Sequence, residues 1–248
     1  MITCATLILV SIGIGMLVGG AGVGGFFMPT ALTFFAGVTV HQGTATSLFT
    51  FIFMGVVGAI YFHRKGSIDW SLVKPICLGA ALTGFAGAWL GSQMSTTALS
   101  IVLAVLITAA GLYTLLVGTR VPRAEMSKPI SRWRLLMAIG AFTGFVSGLT
   151  GIGGPALSVP LMLFFGFSIL HSIGVGQVLQ IVGALSGTLA NIRYGHIDYG
   201  LASFITIFEI IGVLIGAYFV HRLDIQKIRK LVGGLCLVAG CAFMVKAI

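Results

Sequence analysis

Apolar residues run through this chain in long unbroken stretches, and polar residues fill only the short intervals between them. A helix needs about 20 apolar residues to cross a bilayer, whereas membrane β-strands alternate in much shorter segments. The pattern therefore predicts an all-α polytopic membrane protein. Ten apolar segments can be marked, at approximately 2–19, 25–37, 42–62, 69–91, 97–117, 134–149, 155–167, 172–192, 199–220 and 228–247.

The composition excludes the main soluble classes. Of the 248 residues, 58% are hydrophobic and only 8% are charged, and the mean hydropathy is +1.12. A soluble fold needs many more polar residues to cover its surface, and a disordered chain has few apolar ones. The net charge of +9 falls largely in short intervals between apolar segments, which is typical of membrane topology and not of nucleic-acid binding.

The two halves of the chain resemble each other at one constant offset. Three pairs of stretches match when the first half is shifted by 129 residues: 19–25 with 148–154, 64–70 with 193–199, and 87–89 with 216–218. We interpret the chain as an internal duplication. The first repeat covers 1–118, a basic cytoplasmic linker covers 119–133, and the second repeat covers 134–248, all within a single transmembrane domain.

Charge predicts the orientation of these repeats. If the linker faces the cytoplasm, loops 63–74 and 221–230 also lie inside, and 12 of the 14 Lys and Arg residues are cytoplasmic. An even number of crossings before Arg193 would leave fewer of them inside. The favoured arrangement makes the two five-segment repeats antiparallel, a frequent plan for secondary transporters, with broken helices near the membrane midplane.

Two glycine-rich turns are the first candidate site. Each precedes an apolar run that is too short to cross a bilayer comfortably, and each run contains a proline, Pro29 or Pro160. A helix that begins inside the membrane leaves amide groups free, and its positive end can hold an anion. Pro155 suits the first position of such a helix. The predicted anion-binding glycines are Gly22, Gly24, Gly25, Gly151, Gly153 and Gly154.

Other interpretations of the glycines stay open. Small residues also allow helices to pack closely, and we expect that role for Gly140, Gly144, Gly148, Gly87, Gly91, Gly212 and Gly216. The spacing of Gly20, Gly22 and Gly25 also satisfies the dinucleotide-binding pattern. We reject that pattern here because a membrane segment precedes it and no acidic residue follows until Asp69.

In their order and duplication, these features resemble the sulfite exporter TauE/SafE family of membrane permeases. The resemblance rests on the glycine turns, the prolines after them, the Thr-rich stretch 43–47 and the repeated Gly-x-Ile-Asp, and it covers nearly the whole chain. It implies a carrier of sulfur-containing anions, such as sulfite and organosulfonates, in the bacterial inner membrane. In the second repeat, 172–177 replaces the Thr-rich stretch.

Polar side chains inside the apolar segments are further candidates. Thr44 and Ser47 open the third segment, and Gln177 lies in the matching eighth segment. Hydroxyl and amide donors can bind an oxyanion without the permanent charge of an arginine. The alternative is hydrogen bonding between helices, which is common for these residues in membranes. Gln177 is the most informative candidate because it is bulky and polar well inside an apolar segment.

Ionisable residues provide the last candidates. Glu209 is the acidic residue in the middle of a membrane segment, and we expect it either to take up a proton during transport or to bond a neighbouring helix while protonated. Asp69 and Asp198 are expected to cap the helices that follow them. His41 and His171 flank the short segments, where an interfacial structural role competes with a place at a cavity edge.

The sequence thus predicts a secondary transporter that works by alternating access, and the resemblance implies that its substrate is a small sulfur-containing anion. An anion channel, or a permease for another small anion, is the alternative. The sequence contains no catalytic, metal-binding or ATP-binding arrangement that we can identify, so we expect no enzyme activity, metal or cofactor. The expected partners are the anionic substrate and the lipid bilayer, and the sequence does not give the oligomeric state.

Overall fold

The computed structural model describes residues 2–22, 24–116 and 129–222, and all the secondary structure in these ranges is helical. A π-helical turn, Leu32–Ala36, directly continues the second helix. The helices, named α1 to α9 in chain order, are Ile2–Ala21, Phe27–Ala31, Val40–Arg64, Trp70–Gln93, Thr96–Leu116, Pro129–Thr150, Pro155–Phe164, Ile169–Tyr194 and Tyr199–Val220.

The described helices are those of a membrane protein. Six of them, α1, α3, α4, α6, α8 and α9, contain a span long and apolar enough to cross a membrane. The second and seventh predicted segments are short helical pieces, as expected, and α6 begins at Pro129, earlier than its predicted start at 134. The predicted tenth segment, 228–247, and most of the predicted linker lie outside the described residues.

Glycines bring the helices together in two close pairs, α4 with α6 and α1 with α9. A Cβ atom at Gly140 or Gly148 would overlap the backbone of α4, and one at Gly216 would overlap the Met16 carbonyl of α1. The expected packing role of these glycines is confirmed. Such close approach lets van der Waals contact hold the helices together, since apolar burial supplies little driving force between helices in lipid.

The contacts between helices recur at the offset of 129 residues. Gly15 packs against the Glu209 carbonyl on α9, and its equivalent, Gly144, packs against Ala80 of α4, which is the equivalent of Glu209. Gly19 likewise meets the Val213 carbonyl, as Gly148 meets that of Gly84. The two halves therefore pack against each other through matching surfaces.

The central helices α3 and α8, which start 129 residues apart at Val40 and Ile169, run in opposite directions where they touch. Gly187 lies against Leu48, Gln180 bonds to Phe51, and Gly58 lies against Gln177. Residue numbers thus rise along one helix as they fall along the other. Along α4 and α6 the contacts advance in the same order, as they also do along α1 and α9.

Segments between helices from both halves of the chain lie together at the ends of the bundle. The Ser67 hydroxyl, just after α3, lies 3.2 Å from His221 Nε2, just after α9. The residues that start α4 and α6 share this end, because the charge of Arg132 acts on Asp69. Arg193, in the last turn of α8, lies at the opposite end, because His171 near the start of α8 lies close to Asp69. The basic loops expected on the cytoplasmic side, as far as they are described, therefore share one end.

Candidate functional site

The first glycine turn contains Gly22, Gly24 and Gly25, and the second contains Gly151, Gly153 and Gly154. The two turns touch each other inside the bundle. A Cβ atom at Gly25 would overlap the Ile152 carbonyl, and one at Gly153 would press on the Phe51 ring, 3.0 Å away. Gly22 and Gly151 are equivalent, and both have a φ of +69°. This left-handed backbone favours glycine. The turns thus need glycine both for their conformation and for their close contact.

The short helices after the turns begin as their sequences indicate, but they differ in form. Pro155 is the first residue of α7, as predicted, and suits that position because it has no N–H group to satisfy. The equivalent α2 lasts only five residues before the π-helical turn begins. Sequence analysis missed this turn because its hydrogen bonding needs no distinctive residue. Such π-helical turns are frequent at functional sites.

Gln177 of α8 bonds to the end of α1, next to the first glycine turn. Its side chain is fully buried, and its Nε2 donates to the Val18 carbonyl at 3.2 Å. The Gly22 amide donates to the same carbonyl. Among the described residues, Gln177 Oε1 has no hydrogen-bond partner. Leu48 occupies the equivalent position of the first repeat, so this polar group has no counterpart there.

The backbone of Thr44, on α3, packs against Gly151 of the second glycine turn. A Cβ atom at Gly151 would lie 2.6 Å from the Thr44 carbonyl oxygen, and Thr44 is one of the residues that line a cavity of about 320 Å³. Asn191 of α8 lines the same cavity. Other polar residues of the lining are Thr39, His41, Ser92, Thr96 and His196.

Two buried polar atoms at the cavity lack hydrogen-bond partners in the described part of the chain, Thr44 Oγ1 and Asn191 Nδ2. Buried polar groups are normally paired, so each of these atoms lacks the partner expected of it in this conformation. Sequence analysis missed Asn191. The signal that could have found it is that this is the one asparagine of the chain and lies near the end of an apolar segment.

The structure does not bring all the predicted binding residues into one site. Gln177 lies beside Gly58, which is 14 residues along α3 from Thr44, or about 20 Å at helical rise. Ser47 is buried between these two places, but its hydroxyl donates to the Gly43 carbonyl of its own helix at 2.7 Å. The candidates thus form two groups, one at each glycine turn.

Glu209 is fully buried, with its backbone against Gly15 of α1. Neither of its carboxyl oxygens has a hydrogen-bond partner among the described residues. Thr50 of α3 lies beside the carboxyl, although the Thr50 hydroxyl donates to the Ser47 carbonyl. The structure places Glu209 apart from the cavity, so a direct contact with a ligand there is not its role.

The remaining ionisable candidates lie at the ends of the bundle. Asp69 caps α4 by accepting from the Ser71 amide, and Asp198 caps α9 by accepting from Leu201, as expected. Burial pushes the pKa of Asp69 upward, but its hydrogen bonds from Ser71 and the nearby positive charges outweigh this and leave the pKa lowered. His41 lines the cavity, whereas His171 bonds to Ser168 at the other end.

Several long apolar helices around glycine turns buried inside the bundle define a polytopic membrane protein of the transporter class. The chain belongs to the Sulfite exporter TauE/SafE family, whose model matches residues 7–243. This confirms the resemblance seen in the sequence and makes the protein a membrane transporter.

Several curated relatives agree with this assignment. "Probable membrane transporter protein YdhB" of Bacillus subtilis (strain 168) is 28% identical over 219 residues, covering 87% of this chain and 89% of the relative. A "Probable membrane transporter protein" of Xylella fastidiosa (strain Temecula1 / ATCC 700964) is 28% identical over 249 residues, covering 96% and 95%. No solved structure matches the chain.

Proposed function

We propose that this transporter carries a small sulfur-containing anion, sulfite or an organosulfonate, across a bacterial inner membrane by alternating access. The observation that carries the proposal is the pair of glycine turns in contact within the bundle, one of which adjoins a cavity with unpartnered polar groups. Glycine turns in a membrane interior leave backbone amides near the ligand space, and amides favour anions. The family description supports the choice of sulfite.

The proposed mechanism needs two halves that can rock about a common centre. The recurrence of contacts at an offset of 129 residues and the opposite directions of α3 and α8 support an inverted repeat. In such proteins, rocking of one repeat against the other alternately exposes a central site. The glycine turns, with Gln177 on one side and Thr44 on the other, would lie at that centre.

Glu209 is proposed to couple transport to protons. A charged carboxylate is expensive in this fully buried place, so the carboxyl is expected to be neutral when no proton is being moved. α1 and α9 contain no Lys, Arg or His, and α3 carries them only near its ends, so these three helices place no permanent cation beside Glu209.

The experiment is uptake of labelled sulfite and of a small alkyl sulfonate into proteoliposomes. We expect saturable uptake by the wild-type chain and none by empty liposomes. Gln177→Leu, which installs the residue of the equivalent position, is expected to reduce uptake. Uptake that rises linearly with concentration would favour the channel alternative. If neither anion enters, the proposed substrate is wrong.

A further inference from the structure

The cavity beside Thr44 and Asn191 has a particular chemistry. Both side chains are well buried, with 5% and 6% of their surface exposed, and each carries a polar atom that no described residue satisfies. None of the described residues that line the cavity is acidic. The ionisable residues of the lining are His41, Tyr194 and His196.

These features select the ligand class. The carboxamide N–H group of Asn191 donates, the Thr44 hydroxyl can donate or accept, and the described lining has no carboxylate to attract a cation. The volume of about 320 Å³ lies at the lower end of small-molecule sites. The site therefore fits a small anion with several acceptor oxygens.

The equivalent place in the other half of the molecule is filled. Asn191 corresponds to Phe62 at the offset of 129 residues, and Thr44 corresponds to Ile173. Both counterparts are fully buried in one apolar cluster that also contains Val159, Leu163, Ala217 and Val220. His221 packs on the Phe62 ring, with ring centres 5.1 Å apart, and bonds to Ser67. Where one repeat has unpartnered donors, the other has a packed hydrophobic cluster.

We propose that Thr44 and Asn191 form an oxyanion-binding site at the end of the bundle where α8 ends, and that the described residues of the other end form no equal site. This proposal rests on the proposed function and names the residues that contact the anion. The site lies at the end that holds Arg193, opposite the basic loops. By the charge rule that end faces away from the cytoplasm. An anion would therefore reach this site from the external side.

The test is anion binding by the purified full-length chain in detergent, measured by calorimetry with sulfite and with a small alkyl sulfonate. Thr44→Val and Asn191→Leu remove the donors at similar size, and Asn191→Asp places a negative charge there. Hydrogen bonds to charged groups are worth enough that each of the first two variants is expected to raise Kd by about tenfold or more. Asn191→Asp is expected to abolish binding by repulsion.

Thr143→Val is the matched control, because Thr143 is equally buried but donates to the Ile139 carbonyl of its own helix. Its Kd is expected to equal that of the wild type. Size-exclusion profiles and thermal unfolding show which variants are folded. If the neutral variants Thr44→Val and Asn191→Leu are unstable, the loss of binding by folded Asn191→Asp tests the site.

The outcomes separate the two proposals. If the wild type binds and transports an anion while Asn191→Asp retains the same Kd, the site proposed here is wrong and the transport function stands. If the wild type binds neither anion, the proposed function fails together with the site. Loss of binding in the Asn191 variants with normal binding in Thr143→Val supports both.

Discussion

The side chain of Gln180 donates a hydrogen bond to the backbone carbonyl of Phe51 at 3.1 Å, and these two residues occupy equivalent positions of the two repeats. In the proposed inverted repeat, a residue can touch its own counterpart only near the axis that relates the halves. The bond joins α3 and α8 where they cross. Phe51 also presses its ring on Gly153 of the second glycine turn, so this crossing supports the candidate site.

Gln180→Leu is expected to lower stability modestly. Hydrogen bonds between helices in membranes contribute about 0.6–1 kcal/mol, and the Phe51 carbonyl keeps its place within α3. Thermal unfolding in detergent measures the loss. Gln93→Leu, at an exposed position at the end of α4, is the control and is expected to leave stability unchanged. A Gln180→Leu variant as stable as the wild type would show that the bond contributes nothing.

Alanine substitution at Gly151 is expected to destabilise the protein more than the same change at Gly37. Both glycines have a left-handed backbone, with φ of +69° and +71°, which costs an alanine about 1–2 kcal/mol. At Gly151 the new Cβ would also meet the Thr44 backbone, whereas nothing lies within 4 Å at Gly37. The unfolding temperatures of the two variants in detergent therefore isolate the effect of the close contact.

Gly183→Ala completes this comparison. Gly183 lies within α8, has open space where the Cβ would go, and has no left-handed backbone. Alanine favours helix by up to about 1 kcal/mol over glycine, so the variant is expected to match or exceed wild-type stability. Equal stability losses at all three glycines would contradict the steric explanation.

Much of the architecture could be predicted because it depends on local patterns. Apolar length marks the spans, and Asp before an apolar run marks the start of α4 and of α9. Gly148 and its neighbours at intervals of four indicate close packing because only glycine removes the side chain from a contact face. Each of these signals lies in residues that are close together in the chain, so a single sequence is enough to detect it.

The grouping of the site could not be predicted in the same way. Thr44 and Gln177 open the same kind of segment in the two repeats, but the opposite directions of α3 and α8 carry them to different glycine turns. Asn191 reaches the cavity near Thr44 only because α8 ends where α3 begins. Such meetings depend on the packing of distant segments, which no local pattern contains.

Removal of the Asp69 carboxylate is expected to weaken the start of α4. Asp69→Ala should cost about 1 kcal/mol, because the Ser71 amide loses its acceptor. The lowered pKa of Asp69 means that its charge stabilises the folded state above the unfolded pKa, about 3.9, and that this stabilisation is lost as the pH falls through the folded value. The control, Asp69→Asn, retains an acceptor oxygen without the charge.

The measurement is thermal unfolding of the wild type and both variants between neutral pH and pH 3. The stability of the wild type relative to Asp69→Asn should shrink as the pH falls below about 4. A difference that stays constant over this range would show that the Asp69 charge does not contribute to folding.

Glu209→Gln is expected to separate transport from proton movement. Glutamine has the shape of the protonated acid, so the variant should fold and keep exchanging substrate across the membrane. In proteoliposomes, an imposed pH gradient should accelerate net uptake by the wild type and not by Glu209→Gln. Thr206→Val, which changes a nearby α9 residue bonded within its own helix, is the control. Equal stimulation of wild type and Glu209→Gln would exclude proton coupling through this residue.

Cysteine labelling should reveal that the two ends of the bundle are unequal. Asn191 lies at a cavity whose rim includes the exposed residues Thr39 and Thr96, whereas Phe62 lies at the equivalent position in a packed cluster. We expect a small sulfonate-bearing thiol reagent to label Asn191→Cys faster than Phe62→Cys, each in a background with the four native cysteines replaced. Thr39→Cys, at the exposed rim, controls for reagent access.

An unreactive alkyl sulfonate added first should protect Asn191→Cys and leave Thr39→Cys reactive. If the sulfonate protects Asn191→Cys and not Thr39→Cys, it must bind beside Asn191, because Thr39→Cys stays open to the reagent. If Phe62→Cys and Asn191→Cys react at the same rate, the hydrophobic cluster does not close its end of the bundle. The unequal access that an alternating carrier needs would then be absent from this conformation, and a channel would become the better explanation.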